Sequence, residues 1–359
     1  MKVLIAPDSF KGSISNFDCA QAISEGWLTV RPTDQVEMKA MADGGEGTLE
    51  TIAANNPSAI RIMHDEGASA EWLLLEDGTA IVELANICGI TLFSELDPMG
   101  AHTLELGRVL KIAVQDPRVQ RMVVAVGGSA STDGGVGALI ALGAKISNKE
   151  GNSVPLGGLG LQEISTIDIS QIVKPPVGGV TCLADVNNPL LGPQGSAQVF
   201  SPQKGATPTQ VQELEKGLHN LLEKSLVNDF PGAGAAGGTP FGLSLGWKIT
   251  LESGAHKIAQ LTNLHKAISE ADLVITGEGQ LDSQSFQGKI VGEVQKLASN
   301  LNTPIFYCVG SNNLAAENGV DARSVIALVD IAPSLRDAMS DPMRWLHEAG
   351  AKMAQRYSL

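Results

Sequence analysis

Five short loops in this chain set carboxylates beside glycines or hydroxyls. They are Asp8 in Pro7-Asp8-Ser9-Phe10-Lys11-Gly12, Asp43 with Glu46 in Asp43-Gly44-Gly45-Glu46-Gly47, Asp133 in Gly127-Gly128-Ser129-Ala130-Ser131-Thr132-Asp133, Asp185 in Asp185-Val186-Asn187-Asn188-Pro189, and Glu278 with Asp282 in Gly277-Glu278-Gly279-Gln280-Leu281-Asp282. Any one of them is ordinary turn chemistry. All five, however, follow apolar runs that read as buried strands, and in open α/β sheets ligands bind at the carboxyl ends of strands. Clustered carboxylates without nearby Cys or His suit a hard cation, with Mg2+ the usual choice beside phosphates. Glycine-rich turns with bare amides suit an anion, and Lys11, Lys204 and Lys289 are the basic residues embedded in such loops. Metal, amides and lysines are the parts that phosphoryl transfer needs, because its catalysis is mostly positioning and charge neutralisation. A carboxylate would orient or deprotonate the acceptor hydroxyl.

The elements that must hold these loops follow from periodicity. Val3 to Ala6 reads as a buried strand ended by Pro7, and Ser15 with Asp18 is a capping-box variant before helical spacing at Phe17, Ala20, Ile23 and Trp27. Val36 to Ala42 reads as a second strand. From Ile60 the rhythm changes to short strands, Arg61–Met63, Glu71–Leu75 and Thr79–Leu84, with turns at Gly67 and Asp77-Gly78, which predicts a mixed or antiparallel sheet. Thr103 to Val114 is helical, Arg121 to Val126 and Val180 to Ala184 are strands, and Thr209 to Leu226 is a helix. Helix–strand alternation returns near Ile258: a strand at 273–276 that gives way to Gly277, a helix at 289–299, a strand Ile305–Val309, a helix, a strand Val325–Leu328 and a closing helix near Tyr357. The fold class expected is therefore α/β in two domains, a discontinuous one of residues 1–62 and 258–359 and an inserted second one of residues 63–257, with the active site in the cleft between them.

Composition sets outer bounds. The chain has 359 residues, a size that favours two domains, and its 43% apolar and 18% charged residues are a globular mix. A formal net charge of -14 argues against sequence-independent nucleic-acid binding. Cys19, Cys88, Cys182 and Cys308 lie far apart and read as buried thiols in a reducing compartment. The apolar run at Val3–Ile5 is too short for a signal peptide and no apolar span has transmembrane length, so the expectation is a cytoplasmic protein with no membrane partner. Gly288-Lys289 lacks the upstream spacing of a Walker A loop. Gly232-x-Gly234-x-x-Gly237 matches a dinucleotide fingerprint in letters but follows Phe230-Pro231 instead of a strand. Ser129 lies in no nucleophile elbow, and the six histidines show no metal spacing.

Seven stretches in order, IAPDSFKGS from Ile5, ADGGEGT from Ala42, VGGSASTDGG from Val126, ADVNNPLLGPQG from Ala184, SPQKGAT from Ser201, PGAGAAGG from Pro231 and ITGEGQLDSQSFQGK from Ile275, closely resemble motifs of the bacterial glycerate kinase family, type I. The resemblance spans nearly the whole chain. It implies ATP-dependent phosphorylation of D-glycerate, most readily to 2-phosphoglycerate, on a flavodoxin-like (Rossmann-like) parallel-sheet domain with an inserted second α/β domain of mixed sheet. On this resemblance, Asp8, Ser9 and Lys11 with Asp43 surround the glycerate or the transferring phosphoryl group. Asp185 with Asn187 and Asn188 contacts metal or acceptor, and Asp282 is the second candidate Mg2+ ligand. Gly127, Gly128 and Ser129, together with Gly234, Gly237 and Gly238, cradle phosphate, with Lys204, Glu278 and Lys289 as further binding residues. Asp133 is either base or metal ligand. A two-lobed hydroxy-acid sensor, phosphorylation at the 3-position and a homo-oligomer all remain open.

Overall fold

A computed structural model describes all residues except 11, 65–69, 287, 315–319 and 358–359. Lys11 and the turn expected at Gly67 therefore lie outside the described residues. The chain forms two compact units. The first comprises Met1–Asp43, Glu50–Asn55 and Gly254–Leu359, and the second Gly44–Leu49 and Asn56–Ser253.

The first unit is built on a parallel sheet of five strands in the order Val325–Ala327, Ile305–Asn312, Leu273–Leu281, Lys2–Ile5, Gln35–Met38. Numbered within the unit, this is the flavodoxin-like order 2-1-3-4-5, whose switch point lies between its first and third strands. Val3, Leu4 and Ile5 pair with Leu273, Val274 and Ile275 at that point. All six residues are essentially inaccessible to solvent, which explains why these runs are uniformly apolar and not alternating. Helix Asn16–Val30 begins as the capping signal predicts. The Ser15 hydroxyl accepts from Asp18 N at 3.1 Å and donates to the Asp18 carboxylate at 2.7 Å. Its buried face, with Cys19, Ile23 and Trp27, packs against helix Pro342–Tyr357.

Two expectations for this unit need correction. The strand after Ala271 does not end before Gly277 but continues to Leu281, because Glu278, Gln280 and Leu281 stay in register with Val309, Ser311 and Asn312. Glu278 thus stands on a strand and not in a loop. Gly277 permits this: a Cβ there would sit 1.9 Å from the Cys308 carbonyl oxygen, so only glycine lets the two strands stay paired. The neighbouring strand likewise runs on through Gly310 and Ser311 to Asn312. Part of the helix expected after it falls outside the described residues.

The second unit carries a six-stranded mixed sheet in sequential order, Ile249–Glu252, Val180–Leu183, Arg121–Ala125, Thr79–Glu83, Ala70–Leu74, Ile60–His64. The last three strands are antiparallel neighbours and the remaining pairings are parallel. The short strands at 60–83 are thus a meander on the edge of a parallel sheet, in keeping with the change of rhythm in the sequence. Helices Leu104–Gln115 and Val136–Leu142 share one apolar core with the sheet, including Leu106, Leu110, Val124, Ala138 and Leu142. Helix Pro208–Lys224 starts with a full capping box between Thr207 and Gln210 and belongs to a separate apolar cluster. Among the described residues no helix is long and apolar enough to cross a membrane.

In the first unit Asp34 fixes the end of helix Asn16–Val30. It accepts from Trp27 Nε1 at 3.0 Å and from Arg31 Nε at 2.5 Å, with only 4% of its side chain exposed. Burial alone would raise the Asp34 carboxyl, but Arg31 and Trp27 outweigh it and hold it at about 2, below the ordinary 3.8. A depressed carboxyl contributes stability that is complete above its unfolded value and is lost as the pH falls through its folded one. Asp34→Asn is therefore expected to lower stability at neutral pH by on the order of 1 kcal/mol after solvent screening, and to flatten the loss between about pH 4 and about pH 2. Urea denaturation across that range checks it.

Candidate functional site

In the first unit the candidate residues gather at the switch point. The loop after strand Lys2–Ile5 lies against the third strand: Asp8 N donates to the Gly277 carbonyl at 2.8 Å and Ala6 N to Ile275 at 2.8 Å. Asp8 is 7% exposed, and its Oδ1 accepts from Ser9 N at 2.7 Å. Glu278 is buried to the same degree on the facing strand. The chain entering Asp43 is tied to the same edge, with Met41 N donating to the Pro7 carbonyl at 2.9 Å. Asp8, Asp43 and Glu278 thus all arise at the carboxyl ends of adjacent parallel strands.

Asp282 lies just beyond the third strand and is used by its own turn. Oδ1 accepts from Gln284 N at 2.8 Å and Ser285 N at 3.3 Å, while Oδ2 accepts from Gln280 Nε2 at 3.2 Å. Burial works to raise its carboxyl, but these hydrogen bonds and the Lys289 charge prevail and hold it below the usual carboxylate range. Lys289 itself is half-buried immediately before helix Ile290–Asn300.

In the second unit two candidate loops leave the neighbouring strands Arg121–Ala125 and Val180–Leu183, and glycine loops pack against them backbone to backbone. Gly127 N donates to the Gly44 carbonyl, and Gly234 N to the Asn188 carbonyl, each at 3.0 Å. Gly134 N donates to the Gly237 carbonyl at 2.9 Å. Gly237 has a positive φ of 72°, and a Cβ there would come 2.0 Å from the Ser131 carbonyl oxygen. Its glycine identity is therefore set by loop packing as well as by its conformation. Asn188 closes its own loop by donating Nδ2 to the Gln194 carbonyl at 2.7 Å, whereas Asn187 is exposed and Asp185 half-buried. Gly128 is exposed; the Ser129 hydroxyl faces inward, 3.2 Å from the Ser131 hydroxyl.

Asp133 has no exposed surface. Its Oδ2 accepts from Thr103 N and Thr103 Oγ1, each at 2.8 Å, and from Gly137 N at 3.1 Å; its Oδ1 accepts from Gly135 N at 3.1 Å. The Thr103 hydroxyl in turn accepts from Ala138 N at 3.0 Å. The pair thereby satisfies the leading amides of helix Val136–Leu142, which helix geometry leaves without partners. Lys204 is 2% exposed, and its ammonium donates to the Ser131 carbonyl. Burial pushes Lys204 down to about 8 against the opposing attraction of Asp133.

One buried acid was not singled out from sequence. Glu83, 3% exposed at the end of strand Thr79–Glu83, accepts from Gly47 N at 3.1 Å and Leu49 N at 2.8 Å, and so fixes the glycine loop that follows Asp43. The available signal was an acid closing the otherwise apolar run Ala80-Ile81-Val82. Among the described residues no three His, Cys, Asp or Glu side chains are grouped so as to hold a metal ion.

The sequence model of the glycerate kinase family matches residues 3–358. The chain belongs to the glycerate kinase family. A glycerate 2-kinase of Escherichia coli K12 is 36% identical over 343 residues, covering 90% of this chain and 89% of the relative. A glycerate kinase of Halalkalibacterium halodurans is 35% identical over 372 residues, covering 98% and 97%. The crystal structure of a provisionally assigned glycerate kinase 2 from Salmonella typhimurium LT2 aligns with a TM-score of 0.78 at 30% identity, over 100% of this chain and 98% of that one. The mixed α/β architecture of this family member, one parallel and one mixed sheet, agrees with the fold expected from its sequence.

Because Asp133 and Thr103 share one network, removing either is expected to disturb the other. Asp133→Asn presents an amide donor to backbone donors and should cost about 1–3 kcal/mol of stability. Combined with Thr103→Val, it should show a coupling of roughly 0.5–3 kcal/mol in a double-mutant cycle of denaturation midpoints; additive losses would dissolve the network.

Proposed function

We infer that this family member transfers the terminal phosphoryl group of ATP to the 2-hydroxyl of D-glycerate, giving 2-phosphoglycerate and ADP. The observation that carries the reading is the match to the glycerate kinase family from residue 3 to residue 358. The choice of the 2-position is supported by the 36% identity to a protein named glycerate 2-kinase. The distribution of chemistry supports the reaction class. Carboxylates stand at the switch point of the parallel sheet, while a buried ammonium and tightly packed glycine loops mark the second unit.

Within this reading, Asp8, Ser9 and Asp43, with Lys11 beside them in sequence, act on the glycerate or the transferring group, and Glu278 faces the same switch point. A general base must reach the hydroxyl whose proton it takes, and the half-buried carboxylate of Asp43 suits that part better than the fully engaged one of Asp133. Asp133 is assigned a positioning role, because each of its oxygens already accepts from the loop it holds. Gly127, Gly128 and Ser129 remain the amides proposed to approach phosphate. Gly234, Gly237 and Gly238 contribute by allowing their loop to close on its neighbours.

Mg2+ is bound beside phosphates through one or two carboxylates, with waters and phosphate oxygens as its other ligands, so no protein cage is required. Asp185, half-buried at a strand's carboxyl end, fits such a partial ligand set. Asp282 is the second candidate, half-buried just beyond the third strand, with its oxygens also accepting hydrogen bonds within its turn. When bound, the ion would neutralise phosphate charge. The protein's own groups would position the acceptor and exclude water.

Incubation with ATP, Mg2+ and D-glycerate, followed by phosphorus NMR, is expected to yield 2-phosphoglycerate. The 3-isomer would overturn the regiochemistry, and no phosphoglycerate at all would overturn the reading. Asp185→Ala should reduce turnover by about an order of magnitude or more while circular dichroism stays unchanged; near-normal turnover would remove Asp185 from the machinery.

A further inference from the structure

Lys204 is withdrawn from water yet sparsely satisfied. An ammonium has three donors, but among the described residues the Ser131 carbonyl is its one hydrogen-bond acceptor. Asp133 attracts it through space, although that carboxylate is engaged by Thr103, Gly135 and Gly137. A buried charge is strongly disfavoured unless it is paired and hydrogen-bonded. Asp133 is thus a counter-charge at a distance and not a hydrogen-bond partner, and the ammonium keeps donors that no described acceptor takes.

Its surroundings repeat the deficit. Thr132 Oγ1 and Ser196 Oγ are wholly buried and, among the described residues, have no hydrogen-bond partner. Thr132 directly follows the residue whose carbonyl Lys204 holds. Ser196 opens helix Ser196–Phe200, which packs against both the Pro202–Lys204 turn and the Ala235–Gly238 turn. In the latter, Ala236, Gly237 and Gly238 take φ values of 50°, 72° and 89° in succession. Turns of this kind align successive amides into an anion-binding concavity. Gly237 also abuts the Ser131 carbonyl that Lys204 contacts.

We propose that Lys204, with Thr132, Ser196 and the Ala236–Gly238 turn, forms a phosphate subsite that takes the terminal oxygens of a phosphate group carried by the nucleotide or by the phosphorylated acid. Donors from four chain segments and a full positive charge suit a tetrahedral anion with several terminal oxygens, whereas a carboxylate offers two. The identity of the carrier rests on the kinase reading above, while the subsite itself rests on the geometry. Because burial brings Lys204 down to about 8, the empty subsite loses its charge as the pH rises through that value. A bound phosphate, favouring the ammonium, raises it again.

The test is calorimetric titration of the full chain and of Lys204→Met with ADP, 2-phosphoglycerate and inorganic phosphate, each without co-substrate. The variant is expected to lose about 10-fold or more in affinity for inorganic phosphate and for whichever carrier uses the subsite. Loss for ADP alone assigns the nucleotide, and loss for 2-phosphoglycerate alone assigns the acid. A folded variant that binds all three as the unaltered chain does overturns the inference. If the variant does not fold, the unaltered chain decides: phosphate affinity should fall between about pH 7 and about pH 9.5, and a flat profile overturns the inference. Phosphoglycerate formation is assayed separately. Its absence would sink the kinase reading without touching the phosphate titration, and its presence beside Lys204-independent binding would sink the subsite alone.

Discussion

A carboxylate buried without water must be met by donors, and Asp133 meets this demand by recruiting the backbone of the loops around it. Four hydrogen bonds from Thr103, Gly135 and Gly137 converge on its two oxygens. That satisfies the charge, and it also fixes where strand Arg121–Ala125 hands over to helix Val136–Leu142. Once this loop is fixed, the Ser131 carbonyl stands where Lys204 donates to it and where only a glycine at 237 leaves it room. The second unit's polar interior depends on that first placement. In a low-dielectric surrounding a satisfied network is rigid, and a half-satisfied one is costly.

The two units carry different chemistry. The first offers acids at a switch point, where two strands diverge in connection and leave a crevice at their carboxyl ends. The second offers, among its described residues, the deeply buried cation Lys204, hydroxyls and closely apposed glycine loops. Phosphoryl transfer in general needs an acceptor oriented and a concentrated negative charge neutralised. Glu83, at the end of strand Thr79–Glu83, accepts from Gly47 N and Leu49 N and so fixes the loop that follows Asp43.

The sequence made the elements legible where one local signal was sufficient. Ser15 and Asp18 announce their helix, Thr207 and Gln210 announce another, and apolar runs such as Val3–Ile5 and Met122–Ala125 could only be buried strands. Four of the acidic loops follow strands as their order along the chain suggests, whereas in the fifth only Asp282 lies beyond the strand and Glu278 stands on it. What could not be read was which side chains face inward. Asp133 and Asp185 look alike in sequence, each an acid in a polar loop after a strand, yet one is sealed by backbone amides and the other is half-buried. The extension of the third strand through Gly277 to Leu281 was hidden because glycine and glutamate are poor strand formers. The neighbouring strand's register overrides that local preference.

The pairing of Val3 with Leu273 has a further consequence, for synthesis. The central strands of the first unit are separated along the chain by the whole of the second unit's continuous span, Asn56–Ser253. Its parallel sheet consists of long-range pairings, which must bear loop-closure entropy before they gain any burial. On the ribosome, Lys2–Ile5 must wait for its inner neighbour until Leu273–Leu281 has emerged. The sheet that the first residues begin therefore cannot close until most of the chain has been made, and its apolar strand is a natural client for chaperones in the interval.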